Sequence, residues 1–204
     1  MNALLLVVLA QFPTDVFENQ GAFEALEDRD GVKVSRREVK GSAYWENRVE
    51  SATTFAVADL CEGIYEWGTR ANDGPGIVLN KLLTDGEDLR VVYNQISKPV
   101  VANRDYVLTI IREHRDDGSC RIRFRTTNEL APPKPAGFVR MDKLWGEWIL
   151  EPVAAGGSKV TYTLFSDPAG SVPAFLVHGA ARDSTREALL VGFAKTRRLV
   201  EGRK

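Results

Sequence analysis

Residues 167–173 read Asp-Pro-Ala-Gly-Ser-Val-Pro and are followed by an unbroken helical pattern that continues to the C-terminus. A proline is tolerated at the first turn of a helix because the N–H that it lacks has no helical partner there. At 100° per residue, one face of this helix collects apolar, small and a few polar residues. These residues are Ala174, Val177, His178, Ala181, Thr185, Ala188, Leu189, Gly192, Thr196 and Leu199. Small side chains on a buried face leave room beside the helix, so the pattern predicts one wall of a ligand cavity.

The residues before this helix form a series of strand patterns separated by turn signals. Alternating or apolar runs occur at residues 32–39, 44–53, 79–84, 89–96, 106–113, 120–127, 139–150 and 159–165. Helical patterns occupy residues 14–28 and 54–67. Consecutive strands joined by short turns predict an antiparallel meander, and the terminal helix must bury its apolar face against it. The fold class is therefore expected to be α+β, with the helix on the concave face of a curved sheet.

Length and composition indicate one globular domain. The chain has 204 residues, of which 44% are hydrophobic and 27% are charged, and its formal net charge is −1. A chain of this size and composition can bury a sizeable core. Because no basic surplus is present to neutralise phosphates, the composition argues against nucleic acid as a partner.

The cysteines and histidines do not form a metal-binding pattern. Cys61, Cys120, His114 and His178 are widely separated in sequence and lack the spacing of metal ligands. The sequence therefore predicts neither a metal ion nor another cofactor. Buried free thiols are the favoured interpretation of the two cysteines, and a disulfide in an oxidising compartment is the alternative.

The N-terminus carries a short apolar segment. Residues 3–10 read Ala-Leu-Leu-Leu-Val-Val-Leu-Ala, and Val8 and Ala10 fit a small-residue cleavage pattern before Gln11. This pattern favours a signal peptide at residues 1–10 and export to the periplasm or the medium. No Lys or Arg precedes the run and the leader is short, so the alternative is a buried N-terminal strand or helix of a cytoplasmic protein. The run is too short to span a membrane as a helix.

Five short motifs follow one another in the second half of the chain. They are Arg-Asp-Tyr-Val at 104–107 after Pro99, Gly-Phe-Val-Arg at 137–140, Gly-Glu-Trp-Ile-Leu-Glu-Pro at 146–152, Val-Thr-Tyr at 160–162 and the stretch at 167–173. Each motif is weak alone, but their order and spacing together are specific. Over residues 20–200 the chain resembles the START domain, the lipid-transfer module named after steroidogenic acute regulatory protein.

The resemblance implies a helix-grip fold over residues 20–204. In this fold an antiparallel sheet of about nine strands wraps around the C-terminal helix and encloses an apolar cavity. Sterol-binding members of the family commonly place a charged pair in the cavity. Part of that pair lies six residues after the arginine of the Arg-Asp-aromatic motif, and this position is Ile110 here. The resemblance therefore does not carry the charged pair over to this position.

Alternation along the strands predicts which side chains face the cavity. Arg121, Arg123 and Arg125 share one face of their strand, and burying three like charges is prohibitive. Ile122 and Phe124 are therefore expected to point inward. The same argument, applied to the other strands and the last helix, gives the full set. The predicted ligand-binding residues are Tyr93, Gln95, Leu108, Ile110, Phe124, Trp148, Tyr162, Val177, His178, Ala181, Thr185 and Leu189.

Three members of this set depend on particular assignments. Tyr93 and Gln95 are included because Arg90 and Asn94 are assigned to the outer face of their strand. His178 is included because it lies on the apolar face of the last helix. Its functional interpretation is a contact with a lipid head group or a general base, and the slightly favoured alternative is a core histidine whose hydrogen bond is satisfied by the backbone or by Tyr162.

The predicted function is the binding, and by extension the transfer, of a lipid or another hydrophobic small molecule by a monomer. The loop at residues 97–103 and the last helix are the candidates for a gate. Pro99, Val100 and Val101 are apolar residues in a predicted surface loop, which predicts transient membrane contact there.

An enzyme on the same fold, of the cyclase or hydrolase type, is the alternative function. General acid–base chemistry needs an ionisable side chain against the substrate, and the inward set holds one histidine and no Asp, Glu, Cys or Lys. Arg104, Asp105, Arg140 and Asp167 stand at strand edges or turns, where structural ion pairs explain them. No catalytic residue is therefore predicted. A ligand sensor is a third interpretation.

Overall fold

The computed structural model describes residues 21–70, 76–97, 102–170 and 172–203. The predictions for residues 1–10 and for Pro99, Val100 and Val101 lie outside these ranges. Within them the chain forms ten strands, two helices and one 3-10 turn. The strands are β1 (Glu24–Arg29), β2 (Val32–Glu38), β3 (Trp45–Thr53), β4 (Ile77–Asp85), β5 (Leu89–Ile96), β6 (Asn103–His114), β7 (Cys120–Thr126), β8 (Phe138–Arg140), β9 (Leu144–Pro152) and β10 (Ser158–Ser166). The helices are α1 (Val57–Arg70) and α2 (Ala174–Glu201), and the 3-10 turn is Asn128–Leu130.

The ten strands form one curved sheet. Nine of them follow the order β1-β2-β3-β10-β9-β7-β6-β5-β4, and each neighbouring pair along this order is antiparallel. β8 lies off this path and pairs in parallel with the first residues of β6. Helix α2 packs against α1 and also contacts β2, β3 and β10. The predicted α+β helix-grip fold is confirmed.

The helix expected at residues 14–28 is a strand over the part that the structure describes. Glu24–Arg29 pairs with β2 across a turn at Asp30 and Gly31, whose φ angles are 55° and 73°. Positive φ at both central residues is the geometry of a two-residue hairpin, in which the turn matches the twist of the strands. Hairpin pairing therefore overrides a weak helical pattern here.

The single strand expected at residues 139–150 is divided into β8 and β9. The amide of Met141 donates to the carbonyl of Asp105, which extends the parallel pairing of β8 with β6 by one hydrogen bond. The chain then leaves β6, and β9 pairs with β7 and β10. The break falls at Asp142 and Lys143, two consecutive polar residues that interrupt the alternation.

A disulfide joins Cys61 of α1 to Cys120 at the start of β7, and both residues are fully buried. The favoured interpretation of two free thiols was therefore wrong. The bond spans 59 positions in the sequence and arises only because α1 packs against the sheet. His114 offers a ligand atom within 4.8 Å of both sulfurs, but sulfurs bonded to each other are not the thiolates that metal binding requires.

The two helices cross in close contact toward the C-terminal end of α2. A Cβ added to Gly63 would lie 2.7 Å from Thr196 Oγ1 and 2.9 Å from Thr196 Cα, so only glycine allows this approach. The Thr196 hydroxyl donates to the carbonyl of Gly192, at 2.9 Å, and needs no partner on α1. This contact fixes the C-terminal half of α2, and the N-terminal half extends over the open end of the sheet.

Candidate ligand-binding cavity

A cavity of about 610 Å³ lies between the inner face of the sheet, α1 and the N-terminal half of α2. This volume is in the range of small-molecule sites, and most of the wall is apolar or aromatic. The lining residues are Ile64, Tyr65, Trp67, Gly68, Ile77, Asn80, Asn94, Ile96, Ala102, Arg104, Tyr106, Leu108, Ile110, Ile122, Phe124, Met141, Leu144, Trp148, Tyr162, Leu164, Ser166, Pro168, Val172, Leu176, Val177, Ala180, Ala181, Ser184, Thr185 and Ala188.

Eight of the twelve predicted ligand-binding residues lie on this wall. They are Leu108, Ile110, Phe124, Trp148, Tyr162, Val177, Ala181 and Thr185. The strand residues among them alternate with outward-facing neighbours such as Arg123 and Glu147, which pair with Glu113 and Arg121. The hydroxyl of Thr185 donates to the carbonyl of Ala181, at 2.8 Å. Contact between these residues and a ligand stays a prediction.

The inward direction predicted for Tyr93 and Gln95 was wrong. Tyr93 belongs to a second hydrophobic cluster on the outer face of β5 and β6, and its hydroxyl donates to Asp105, at 3.1 Å. The side-chain amide of Gln95 donates to the Tyr93 hydroxyl, at 3.0 Å. Asn94, which had been assigned to the outer face, lines the cavity instead. Because β5 is buried on both faces, polar and apolar residues do not mark its two sides.

Leu189 and His178 also lie away from the main cavity. Leu189 is fully buried in the packed core, and a Cβ added at Gly192, three residues later, would lie 3.4 Å from Ile64 Cγ1 and 3.6 Å from Trp148 Cη2. His178 lines a second pocket of about 210 Å³, which shares Ser166, Val177 and Ala181 with the main cavity. Its ring stacks on Trp45 with centroids 4.8 Å apart, and its Nε2 lies 3.1 Å from the carbonyl of Ala43. The predicted cavity wall is therefore limited to the first half of the helix.

Arg104 is the one charged side chain on the cavity wall in the part of the chain that the structure describes. Its Nε donates to the carbonyl of Pro168, at 3.0 Å, and its other nitrogens donate to the carbonyls of Ala102 and Ala169. Sequence reasoning had assigned Arg104 to a structural ion pair. It instead ties the start of β6 to the turn before α2 through backbone carbonyls.

The turn before α2 explains why residues 167–173 mark this fold. The carboxylate of Asp167 accepts a hydrogen bond from the amide of Ala169, at 2.9 Å, and Ala169 and Gly170 adopt φ angles of 57° and 71°. The hydroxyl of Tyr44 donates to the carbonyl of Val172, at 2.8 Å. Together with Arg104, these bonds fix the point at which α2 begins.

Three tyrosines line the cavity, and burial governs their ionisation. Burial raises the pKa of Tyr106 to about 12 and also raises the pKa of Tyr162. Burial raises the pKa of Tyr65 to about 12, although the nearby Arg90 and Arg112 act against this shift. Both guanidiniums stack on the Tyr65 ring, 4.4 and 4.3 Å from its centroid. All three phenols are therefore neutral at physiological pH.

Sequence reasoning missed several lining residues that were within its reach. Tyr106 lies two residues before Leu108 on the same face of β6, and Leu164 was placed inward but was not chosen as a binding residue. Trp67 of α1 was missed because no sheet contact can be inferred for that helix from its own pattern. The sequence analysis also did not predict that Phe175 and Leu176 form an exposed apolar surface. These residues are 76% and 59% exposed in the first turn of α2.

No helix in the described ranges combines the length and the apolar character needed to cross a membrane.

Comparison with known proteins identifies the family. Residues 39–197 match the START domain. The chain is 31% identical over 169 residues to an uncharacterised protein of Pseudomonas aeruginosa, with 79% of this chain and 80% of that protein covered. It is 24% identical over 173 residues to the phosphatidylcholine transfer protein of Bos taurus, with coverage of 79% and 78%.

Comparison of the fold with solved structures also points to this family. The crystal structure of a STAR-related lipid transfer protein from Xanthomonas axonopodis superposes with a TM-score of 0.76 at 26% identity, and 87% of this chain and 99% of that chain are covered. The sequence match covers more than half of the chain, and it includes β3 to β10, α1, most of α2 and the whole cavity wall. The chain therefore belongs to the START-domain family.

Proposed function

We propose that this protein binds a lipid or another hydrophobic small molecule in the cavity and carries it between membranes. The observation that carries the proposal is the apolar cavity of about 610 Å³ beneath α2. Exposing each methylene group to water costs about 0.8 kcal/mol, so a chain of a dozen methylenes costs on the order of 10 kcal/mol. An enclosed apolar wall removes most of this cost. The names of the bovine and Xanthomonas relatives support the same function.

The chemistry of the wall supports carriage over catalysis. Among the described lining residues, the ionisable side chains are Arg104 and three tyrosines. The guanidinium of Arg104 already donates to backbone carbonyls, and the tyrosine pKa values are raised away from neutrality. Efficient general acid–base catalysis needs a group that titrates near the operating pH. We therefore propose a carrier without enzymatic activity.

Replacing Ala188 by phenylalanine is expected to weaken binding of a phospholipid that carries a pyrene-labelled acyl chain by about tenfold or more. Ala188 lines the cavity, and a phenyl ring there takes up space that the ligand needs, at a cost of 1–3 kcal/mol for overpacking, about tenfold per 1.4 kcal/mol. Titration followed by pyrene fluorescence measures the change. Ala194→Phe on the exposed side of the same helix is the matched control and should bind like the wild type. Equal binding by the two variants would contradict the proposal.

The gate is proposed at the first turn of α2 together with the segment 97–103. Phe175 is exposed beside Leu176, which lines the cavity, so an apolar surface adjoins the proposed entrance. Apolar side chains at such a position gain free energy by entering the membrane interface. Contact with a membrane there would open a route for the ligand that avoids water.

The variant Phe175→Glu is expected to slow transfer of the pyrene-labelled phospholipid between vesicles by about tenfold, with equilibrium binding unchanged. Loss of a buried phenylalanine side chain from the membrane interface costs about 1.5–3 kcal/mol. Leu190→Glu, at a position that is 51% exposed on the same helix, controls for the added charge. Transfer at the wild-type rate by the Phe175 variant would exclude this turn as the membrane contact.

A further inference from the structure

Three tyrosine hydroxyls on the cavity wall have no hydrogen-bond partner among the described residues: that of Tyr65, which is enclosed by the protein, and those of Tyr106 and Tyr162. Tyr106 and Tyr162 lie on β6 and β10, and the residues are only 8% and 6% exposed. Neither hydroxyl has a hydrogen bond within the described ranges, whereas the hydroxyls of Tyr44 and Tyr93 are both bonded. Nearly all buried polar side-chain atoms in folded proteins have a partner. The hydroxyls of Tyr106 and Tyr162 lie on the cavity wall, where a polar atom of a bound molecule can supply the partner that the protein does not.

The two hydroxyls belong to one cavity. The strands that carry them are separated by β9 and β7 along the sheet, and the curvature brings both side chains to the same cavity. The Tyr106 hydroxyl also contributes to the raised pKa of Tyr162, as a neighbouring phenol does. The ring of Trp148 stacks on Tyr162 with centroids 3.9 Å apart, which fixes the direction of the Tyr162 hydroxyl.

Among the described side chains, none that is charged contributes at the Tyr106 hydroxyl, although Arg104 gives the wall of the same cavity one positive charge. Burial is the sole cause of the raised pKa of Tyr106, without a contribution from a charged neighbour. Arg104 is two residues away on β6, and its guanidinium is bonded to backbone carbonyls. Ile110, Ile122 and Leu108 are further members of the wall. A carboxylate or a phosphate placed here would lose its hydration without meeting an opposite charge.

We infer that Tyr106 and Tyr162 form a subsite for an uncharged oxygen of the ligand, either a hydroxyl or a carbonyl group. A phenol both donates and accepts a hydrogen bond, so the pair suits an alcohol, a ketone or an ester. The ligand class is therefore an apolar molecule that carries such an oxygen into the cavity. This inference rests on the proposed function and adds the chemistry that the cavity recognises.

The test compares three molecules of equal chain length, 1-dodecanol, dodecane and the dodecanoate ion, on the wild type, Tyr106→Phe and Tyr162→Phe. Quenching of tryptophan fluorescence reports binding, because Trp67 and Trp148 line the cavity. The wild type should bind 1-dodecanol more tightly than either of the other two at pH 8. Each substitution should weaken 1-dodecanol binding about three- to tenfold and leave dodecane binding unchanged.

The outcomes separate the two proposals. Because the hydroxyls have no protein partner, both variants should fold like the wild type, and circular dichroism checks this. Equal affinity of the wild type for 1-dodecanol and dodecane, tighter binding of dodecanoate, or an unchanged 1-dodecanol affinity in both variants would overturn the inference and leave the carrier function intact. Failure of all three molecules to bind the wild type would overturn the carrier function and the inference with it.

Discussion

Replacing both Cys61 and Cys120 by alanine is expected to lower the free energy of unfolding by about 4 kcal/mol. The disulfide spans 59 positions in the sequence, and it restricts the unfolded chain by closing a loop of that length. The chain-entropy estimate for such a loop is about 4 kcal/mol, which is a large fraction of the stability of an ordinary domain. The bond also holds α1, which supplies Trp67 and Ile64 to the cavity wall.

Urea unfolding of the double variant and of the wild type measures this effect. The wild type unfolded in the presence of a reductant is the control, because it loses the bond without losing the side chains. The double variant and the reduced wild type should show similar decreases in the free energy of unfolding. A double variant as stable as the oxidised wild type would contradict the prediction. Since disulfides persist in oxidising compartments, the same comparison measures how strongly the stability of this protein depends on where it folds.

Replacing Asp105 by alanine is expected to lower the free energy of unfolding by about 3 kcal/mol. Asp105 is fully buried on the outer face of β6 and accepts hydrogen bonds from Arg140 Nε, at 3.3 Å, and from the Tyr93 hydroxyl, at 3.1 Å. Removing one member of a buried pair leaves the other charge without compensation, which typically costs 3–5 kcal/mol. We expect a loss at the lower end of this range because Arg140 is partly exposed and also donates to the carbonyl of Pro132.

The matched control is Glu151→Ala. Glu151 pairs with Lys159 at 3.3 Å on the surface, where the side chains are 47% and 51% exposed. Exposed ion pairs contribute about 1 kcal/mol or less, so this variant should unfold almost like the wild type. Urea unfolding of the two variants side by side isolates the effect of burial. An equal decrease in the free energy of unfolding in the Asp105→Ala and Glu151→Ala variants would show that the ion pair of Asp105 and Arg140 contributes no more than a surface pair.

The sequence predicts the cavity wall where one face of a strand meets water. Arg121, Arg123 and Arg125 mark the outer face of β7, and Ile122 and Phe124 accordingly line the cavity. The same reasoning fails on β5, because the outer face of this strand is covered by a second hydrophobic cluster. An alternating pattern carries information about direction only when the two faces have different surroundings.

The contacts that the sequence could not predict are those between distant elements. The disulfide depends on the packing of α1 against β7, and this packing cannot be predicted from the local sequence around Cys61 or Cys120. His178 was assigned from the helical face that it shares with Val177, but β3 of the sheet packs against the helix at His178. The ring therefore meets Trp45 of β3 instead of the cavity. Helical periodicity gives the direction of a side chain and leaves open which neighbour it meets.

Helix α2 crosses α1 in close contact at Gly63 and Thr196, near the C-terminal end of α2. A rotation of α2 about this contact would move its N-terminal end most. From Thr196 to Phe175 the helix extends about 31 Å, at 1.5 Å per residue. A rotation of about 10° at this contact moves the Phe175 end by about 5 Å, which is one helical turn. A rotation of α2 about this crossing would therefore displace its first turn much more than its last turn, and this is the movement that the proposed gate requires.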